Sequence, residues 1–354
     1  MPNTNAPSED TARAEVGAVC ARERGRSRGR PFHLPTTLIL ALTLLLSSCN
    51  HLFYYPDQVE HLTPARADPP LSFHSYAVAV EPGVQLALWH IPAVPGVPRR
   101  GVVVQFHGNA ENMSSHFLFV AWLAREGFDV VTFDYRGYGA STGDPDREGL
   151  VRDGLAVLDW VARAPELAGP KIAVLGQSLG GAVAVPVVVR APLGRVAALV
   201  VESTFDSYRY VAQVKLAGSL VTWPLQVPLS HLVTDELSPI DSARRLTVPF
   251  LVIHARGDRV VPIVHGRRLF RAAPRGHKEF WEIASDAHLA AFGDPASPYR
   301  ARLVAFLEDA FRTPHAADDD ERARSKRKRD KAAAAASTAR ARDASDLAAA
   351  PHAW

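Results

Sequence analysis

Continuously apolar runs of strand length recur along the chain: "VQLALW" (84 to 89), "GVVVQF" (101 to 106), "FDVVTF" (128 to 133), "KIAVLG" (171 to 176), "VAALVVE" (196 to 202) and "PFLVIH" (249 to 254). Runs without polar alternation fit strands covered on both faces, as in a parallel sheet sandwiched by helices. Segments with helical spacing lie between them, at residues 110 to 127 and 146 to 164, and each runs into Gly or Pro. A last strand-like run, "KEFWEI", precedes a terminal helix at residues 297 to 311. Alternating β and α elements predict an open α/β sheet. Residues 206 to 233 break the rhythm, being long, apolar and interrupted by Pro224 and Pro228. They predict either a small cap, with Trp223 and leucines lining an apolar pocket, or a helical excursion that completes the core.

Composition adds a core of ordinary size. The 354 residues are 47% hydrophobic and 22% charged, with a formal net charge of +3. Basic residues gather at the two ends and leave the middle nearly balanced, so no nucleic-acid partner is expected. The picture is one large domain at residues 71 to 312, with a cap insertion at about 206 to 240. Residues 313 to 354 are charged, alanine-rich and poor in large apolar side chains, and are expected to be disordered.

The leading end reads as a targeting segment: "RERGRSRGR", then "LPTTLILALTLLL", then "SSC". The apolar stretch falls short of the roughly 20 residues of a bilayer span, which favours export over a permanent anchor. Leu46-Ser47-Ser48-Cys49 is similar to the lipobox of bacterial lipoproteins. That resemblance implies a signal peptide at residues 1 to 48, lipid on Cys49, and a short linker to residue 70. Asn50 in place of aspartate implies the periplasmic side of the outer membrane if the cell is double-membraned. The other cysteine, Cys20, lies inside the removed segment, so the mature chain would hold neither disulfide nor free thiol.

The candidate chemistry centres on Gly176-x-Ser178-x-Gly180, at the end of an apolar run and the start of a helical stretch. A serine on such a tight turn is presented above the sheet, where only glycines tolerate the neighbouring backbone so close, although Gly-rich strand-to-helix turns also serve plain packing or phosphate binding. The following helix starts at the same spot, where its N–H groups favour an oxyanion. The β-branched valines and Pro186 of "LGGAVAVPVVVRAP" conflict with that helix and predict a kink.

With "HGN" at 107 to 109, "FDYRGYGASTG" at 133 to 143, "GQSLGG", and "HARGDRVVP" at 254 to 262, the chain resembles the α/β-hydrolase superfamily from about Val84 to Phe311. It looks most like a branch of small-lidded serine hydrolases with bacterial members and eukaryotic protein depalmitoylases. The resemblance implies a mostly parallel central sheet with helices on both faces and a short cap. It also implies oxyanion donors in the backbone N–H groups of Leu179 and Asn109.

Hydrolases of that fold take their catalytic groups in the order serine, acid, histidine. Asp258 follows directly on "PFLVIH" and is the expected acid, with Asp206 in "ESTFDS" as its rival and helix capping as its ordinary alternative. His288 lies between the last strand-like run and the terminal helix, where the family's histidine loop falls; Ser285, Asp286 and Ala287 stand where many relatives carry more glycine. His107, His254 and His265 fit an oxyanion segment, a strand end and a helix start instead. Arg136 reads as half of a structural ion pair. No metal or organic cofactor is implied. The expected activity is cleavage of a small-molecule or lipid acyl ester or thioester through Ser178, His288 and Asp258. An aminopeptidase-like amide hydrolase and a non-catalytic envelope lipoprotein are the alternatives.

Overall fold

The computed structural model describes residues 53–313, apart from 170, 193 and 218–222. The proposed signal peptide, Cys49 and the tail from residue 314 lie outside the described residues. Eight strands form one sheet: β1 His74–Glu81, β2 Val84–Ile91, β3 Gly101–Phe106, β4 Phe128–Phe133, β5 Ile172–Gln177, β6 Ala198–Glu202, β7 Phe250–Ala255 and β8 Lys278–Ile283. Their order is β1-β2-β4-β3-β5-β6-β7-β8. Only β2 runs against its neighbours, pairing antiparallel with β1 and β4. The remaining pairs are parallel, so the ends of β3, β5, β6 and β7 share one edge.

The apolar runs are continuous because both faces are covered. Val102, Val104 and Phe106 of β3 join one core with Val174 and Val201, whereas Val103 joins a second core with Leu175 and Val200. The helices are α1 Met113–His116, α2 Arg147–Arg163, α3 Leu179–Arg190, α4 Tyr208–Ala217, α5 Gln226–Ser230, α6 Pro239–Ala243, α7 Val264–Ala272 and α8 Pro298–Arg312. Leu150 and Val157 of α2, Val183 and Val187 of α3, and Leu269 of α7 pack into the first core. Leu303, Phe306 and Leu307 of α8 fill the second. Asp146 caps α2 by accepting the Gly149 N–H, and Ser297 caps α8 by accepting that of Tyr299. The segment after Ser178 is helical despite its valines and Pro186, because every residue from Leu179 to Val188 is buried and tertiary packing outweighs propensity.

Three regions differ from the sequence-based expectation. The helix anticipated over residues 110 to 127 is broken into α1 and two short 3-10 turns, Phe117–Phe119 and Ala121–Glu126, the last closed by Gly127 at φ 89°. The buried Phe117, Val120, Ala121 and Ala124 keep the spacing of one helical face, so the apolar pattern does not report the break. The stretch ahead of residue 71, read as a linker, contributes Phe53 and Tyr54 to the core. In the insertion, α4 buries Tyr208 and Ala212, but Trp223 is 60% exposed. Among the described residues no helix is long and apolar enough to cross a membrane.

Candidate active site

Ser178 joins β5 to α3 with φ 52° and ψ −116°, a left-handed conformation that strains any residue with a side chain. Neighbouring bonds hold it there. Its N–H donates to the Glu202 carbonyl at 2.9 Å, and its carbonyl accepts the Thr204 hydroxyl at 2.7 Å. Both flanking glycines are required: a Cβ on Gly176 would lie 2.6 Å from the Gly180 carbonyl oxygen, and one on Gly180 would collide with the Phe106 carbonyl.

Leu179, the first residue of α3, and Asn109, in the loop after β3, line one cleft together with Ser178. Gly108 brings the Asn109 loop close, since a Cβ there would sit 3.6 Å from that of Ser178. The loop is clamped from two sides. Asn109 Nδ2 donates to the Phe53 carbonyl at 2.7 Å, while its Oδ1 accepts the Tyr55 N–H at 2.9 Å and the Tyr138 hydroxyl at 2.7 Å. Asn112 Nδ2 further donates to the carbonyls of Asp57 and Val59. Residues 53 to 59 therefore strap the loop down, a role that no periodic pattern announces.

Asp258 and His288 meet across 30 residues of sequence, with His288 Nδ1 2.8 Å from Asp258 Oδ2. The other carboxylate oxygen accepts the N–H groups of Val260 and Val261, each at 2.9 Å, so the carboxylate cannot swivel. Burial pushes the Asp258 carboxyl up, but hydrogen bonds from His288 and Val261, the imidazole's charge and the Val260 N–H outweigh it and hold the pKa below its ordinary value. The imidazole side chain is 23% exposed while the aspartate side chain is buried, and Val260 and Val261, whose N–H groups hold Asp258, line the cleft with Ser178. The two loops interlock: Gly257 donates its N–H to the Ser285 carbonyl, and a Cβ on it would strike Asp286.

The cleft holds about 260 Å³. Phe53, Phe205, Tyr208, Val211, Val214, Val260 and Val261 make most of its wall apolar, and Lys215 is its one charged lining residue among those described. The expectation that Trp223 would line it fails, because the wall comes from the start of the insertion rather than its middle.

Asp206 is paired elsewhere. Its Oδ1 lies 2.6 Å from Nδ1 of His265, which is fully buried under the Tyr210 ring. His107 hydrogen-bonds the Gly108 carbonyl and is pushed by burial down to about 3. His254 contacts the Val261 carbonyl, and burial lowers its pKa as well. Arg136 is buried in an ion-pair group, 2.8 Å from Asp153 and 2.7 Å from Glu81. Among the described residues no group of three or more His, Cys, Asp or Glu could hold a metal ion.

Comparison with known proteins identifies the family. A family model described as serine aminopeptidase, S33, matches residues 97–238, a span that includes Asn109 and Ser178. The protein YfhR of Salmonella typhi is 31% identical over 287 residues, covering 77% of this chain and 92% of its own length. This chain belongs to the α/β-hydrolase superfamily. Within that superfamily it is also 29% identical to the α/β hydrolase domain-containing protein WAV2 of Arabidopsis thaliana, over 77% of this chain and 91% of that one. The solved esterase Pf2001 of Pyrococcus furiosus superposes with a TM-score of 0.58 at 20% identity, covering 72% of this chain and 98% of the esterase, and so shares its fold. The protein is a hydrolase of the α/β fold.

Proposed function

We propose that this α/β hydrolase is a serine hydrolase that cleaves an acyl ester or thioester through Ser178, His288 and Asp258. The observation that carries the reading is the Asp258–His288 bond of 2.8 Å, found together with a serine held at φ 52° on a strand-to-helix turn. In the reaction His288 takes the proton of Ser178 as its Oγ attacks the acyl carbon, because a serine hydroxyl barely ionises near neutral pH. Asp258 fixes the imidazole's tautomer and stabilises the imidazolium. The backbone N–H groups of Leu179 and Asn109 receive the developing oxyanion. Collapse of the tetrahedral intermediate expels the alcohol or thiol, protonated by His288. Water then attacks the acyl-serine by the same route in reverse and releases the acid.

The apolar cleft wall favours an acyl chain as the part of the substrate that is held. The aminopeptidase reading draws on the description of the matching family model. Against it, an aminopeptidase needs an acidic group to grip its substrate's ammonium, and the described cleft residues include no carboxylate. Export and lipid attachment at Cys49, on the periplasmic side of an outer membrane, belong to the same proposal. Incorporation of a labelled fatty acid that Cys49→Ala abolishes would support that part; equal incorporation would remove it.

The deciding experiment is labelling with a fluorophosphonate probe beside turnover of acyl esters graded by chain length. Label and turnover on the wild type, both lost in Ser178→Ala, support the proposal. Absence of label on the folded wild type, or equal label on the variant, overturns it. No turnover of ester, thioester or amide would favour the non-catalytic lipoprotein.

A further inference from the structure

A row of buried polar side chains runs beneath the site, in a sheet otherwise packed with apolar ones. Thr132 ends the row on β4, Gln105 follows on β3, Gln177 on β5 and Glu202 on β6, all at the strand ends next to the serine turn. All four are essentially inaccessible, at 1% exposure or less. The hydrogen bonds run one way along it. The Thr132 hydroxyl donates to Gln105 Oε1 at 3.0 Å, Gln105 Nε2 to Gln177 Oε1 at 3.0 Å, and Gln177 Nε2 to Glu202 Oε2 at 2.8 Å. Gln105 Nε2 also donates to the His116 carbonyl, which fixes which way its amide faces.

The row ends on the histidine loop. Glu202 Oε1 accepts the N–H of Ala291 at 2.8 Å, three residues beyond His288. Ala291 and Phe292 are fully buried, and the Ala291 carbonyl accepts the Ser297 hydroxyl, so the loop is gripped on both sides of one residue. Glu202 also holds the serine turn, since its carbonyl accepts the Ser178 N–H at 2.9 Å. One residue thus touches the segment carrying the nucleophile with its backbone and the segment carrying the imidazole with its side chain.

We infer that Glu202 is a positioning residue for His288, setting the height of the histidine loop over Ser178 through the Ala291 N–H, with Gln177 holding the carboxylate in place. This rests on the proposed roles of Ser178 and His288. A carboxylate suits the task because both of its oxygens accept, whereas a carboxamide carries an acceptor and a donor. In Glu202→Gln the amide cannot accept from Ala291 and Gln177 together. Moving the charge one place along the row, in Q177E/E202Q, restores every bond: the carboxylate at 177 accepts from Gln105 and from the amide at 202, whose oxygen accepts from Ala291.

The test compares wild type, E202Q and Q177E/E202Q in steady-state hydrolysis of a short acyl ester, on protein with wild-type circular dichroism. A shift of about 1 Å in a catalytic group can cost ~100-fold. The expected result is a kcat lowered at least about tenfold in E202Q with KM within about twofold, and recovery to within about threefold of wild type in the double variant. A kcat unchanged in E202Q overturns the inference, and so does an equal loss in the double variant. If E202Q alone does not fold, the double variant decides: near-wild-type kcat supports the inference and a loss beyond tenfold overturns it. Ser178→Ala and His288→Ala, run alongside, separate the two proposals. Full activity in either of those removes the triad itself, whereas their inactivity beside an active E202Q removes only the role of Glu202.

Discussion

Two aspartate–histidine pairs are bonded at similar distances, and they differ in how far the imidazole is exposed. Asp258 and His288 sit on loops after β7 and β8, and the His288 side chain remains 23% exposed. Asp206 and His265 are bonded as closely, at 2.6 Å, but the His265 ring is fully buried and its Nε2 meets no partner among the described residues. Tyr210 covers that ring at 4.1 Å between centroids, and Arg268 lies 3.7 Å from the aspartate's second oxygen. A carboxylate orients an imidazole equally well in either place. What separates a working base from a packing element is whether its other nitrogen reaches a substrate, and sequence order alone cannot report that.

The largest effect should come from exchanging the two imidazoles. His288→Ala is expected to lower kcat about a million-fold, as loss of a triad base does, while His265→Ala stays within about tenfold. Steady-state kinetics with a soluble ester reads both; a greater loss in the His265 variant would reverse the assignment. Next come the acids. Asp258→Asn should cost about ten-thousand-fold in kcat by mis-setting the tautomer, against less than about tenfold for Asp206→Asn. If the two variants lost activity equally, the distinction between the pairs would collapse.

Stability should rank the pairs the other way. Replacing His265 by Phe strands the buried Asp206 carboxylate without its hydrogen bond, a loss of about 1–3 kcal/mol visible in urea unfolding. His288→Ala opens to solvent and should cost less than the His265 variant. The smallest effect concerns acid. Because the folded Asp258 pKa is depressed, its contribution to stability is complete above about pH 4 and disappears as pH falls through the lower folded value. The stability gap between wild type and Asp258→Asn should therefore hold steady down to about pH 5 and narrow below about pH 4. A gap that widened in acid would contradict the depressed pKa.

Much of this was legible in the chain because doubly covered strands leave unbroken apolar runs. "GVVVQF" and "FDVVTF" coincide with β3 and β4 to the residue, and both strands are buried throughout. β1 escaped because it is an edge strand with Val78 as its single buried residue, so "HSYAVAVE" carries too little apolar signal. Ser178, Asp258 and His288 could be singled out because turn chemistry and chain order constrain them. Glu202 could not, since a glutamate closing an apolar run looks like an ordinary surface residue until Ala291 is seen above it. The strap at residues 53 to 59 was hidden for another reason: its Phe53, Tyr55, Asp57 and Val59 act on the Asn109 and Asn112 side chains through main-chain atoms, which any residue type could supply.

That strap gives the folded domain a polarity. Phe53 lines the cleft, whereas Thr313 shares a separate hollow with Pro249 and Lys278 at the opposite ends of the strands. A reporter or tether joined ahead of residue 53 would therefore crowd the substrate's doorway, whereas one joined after residue 313 would leave it open.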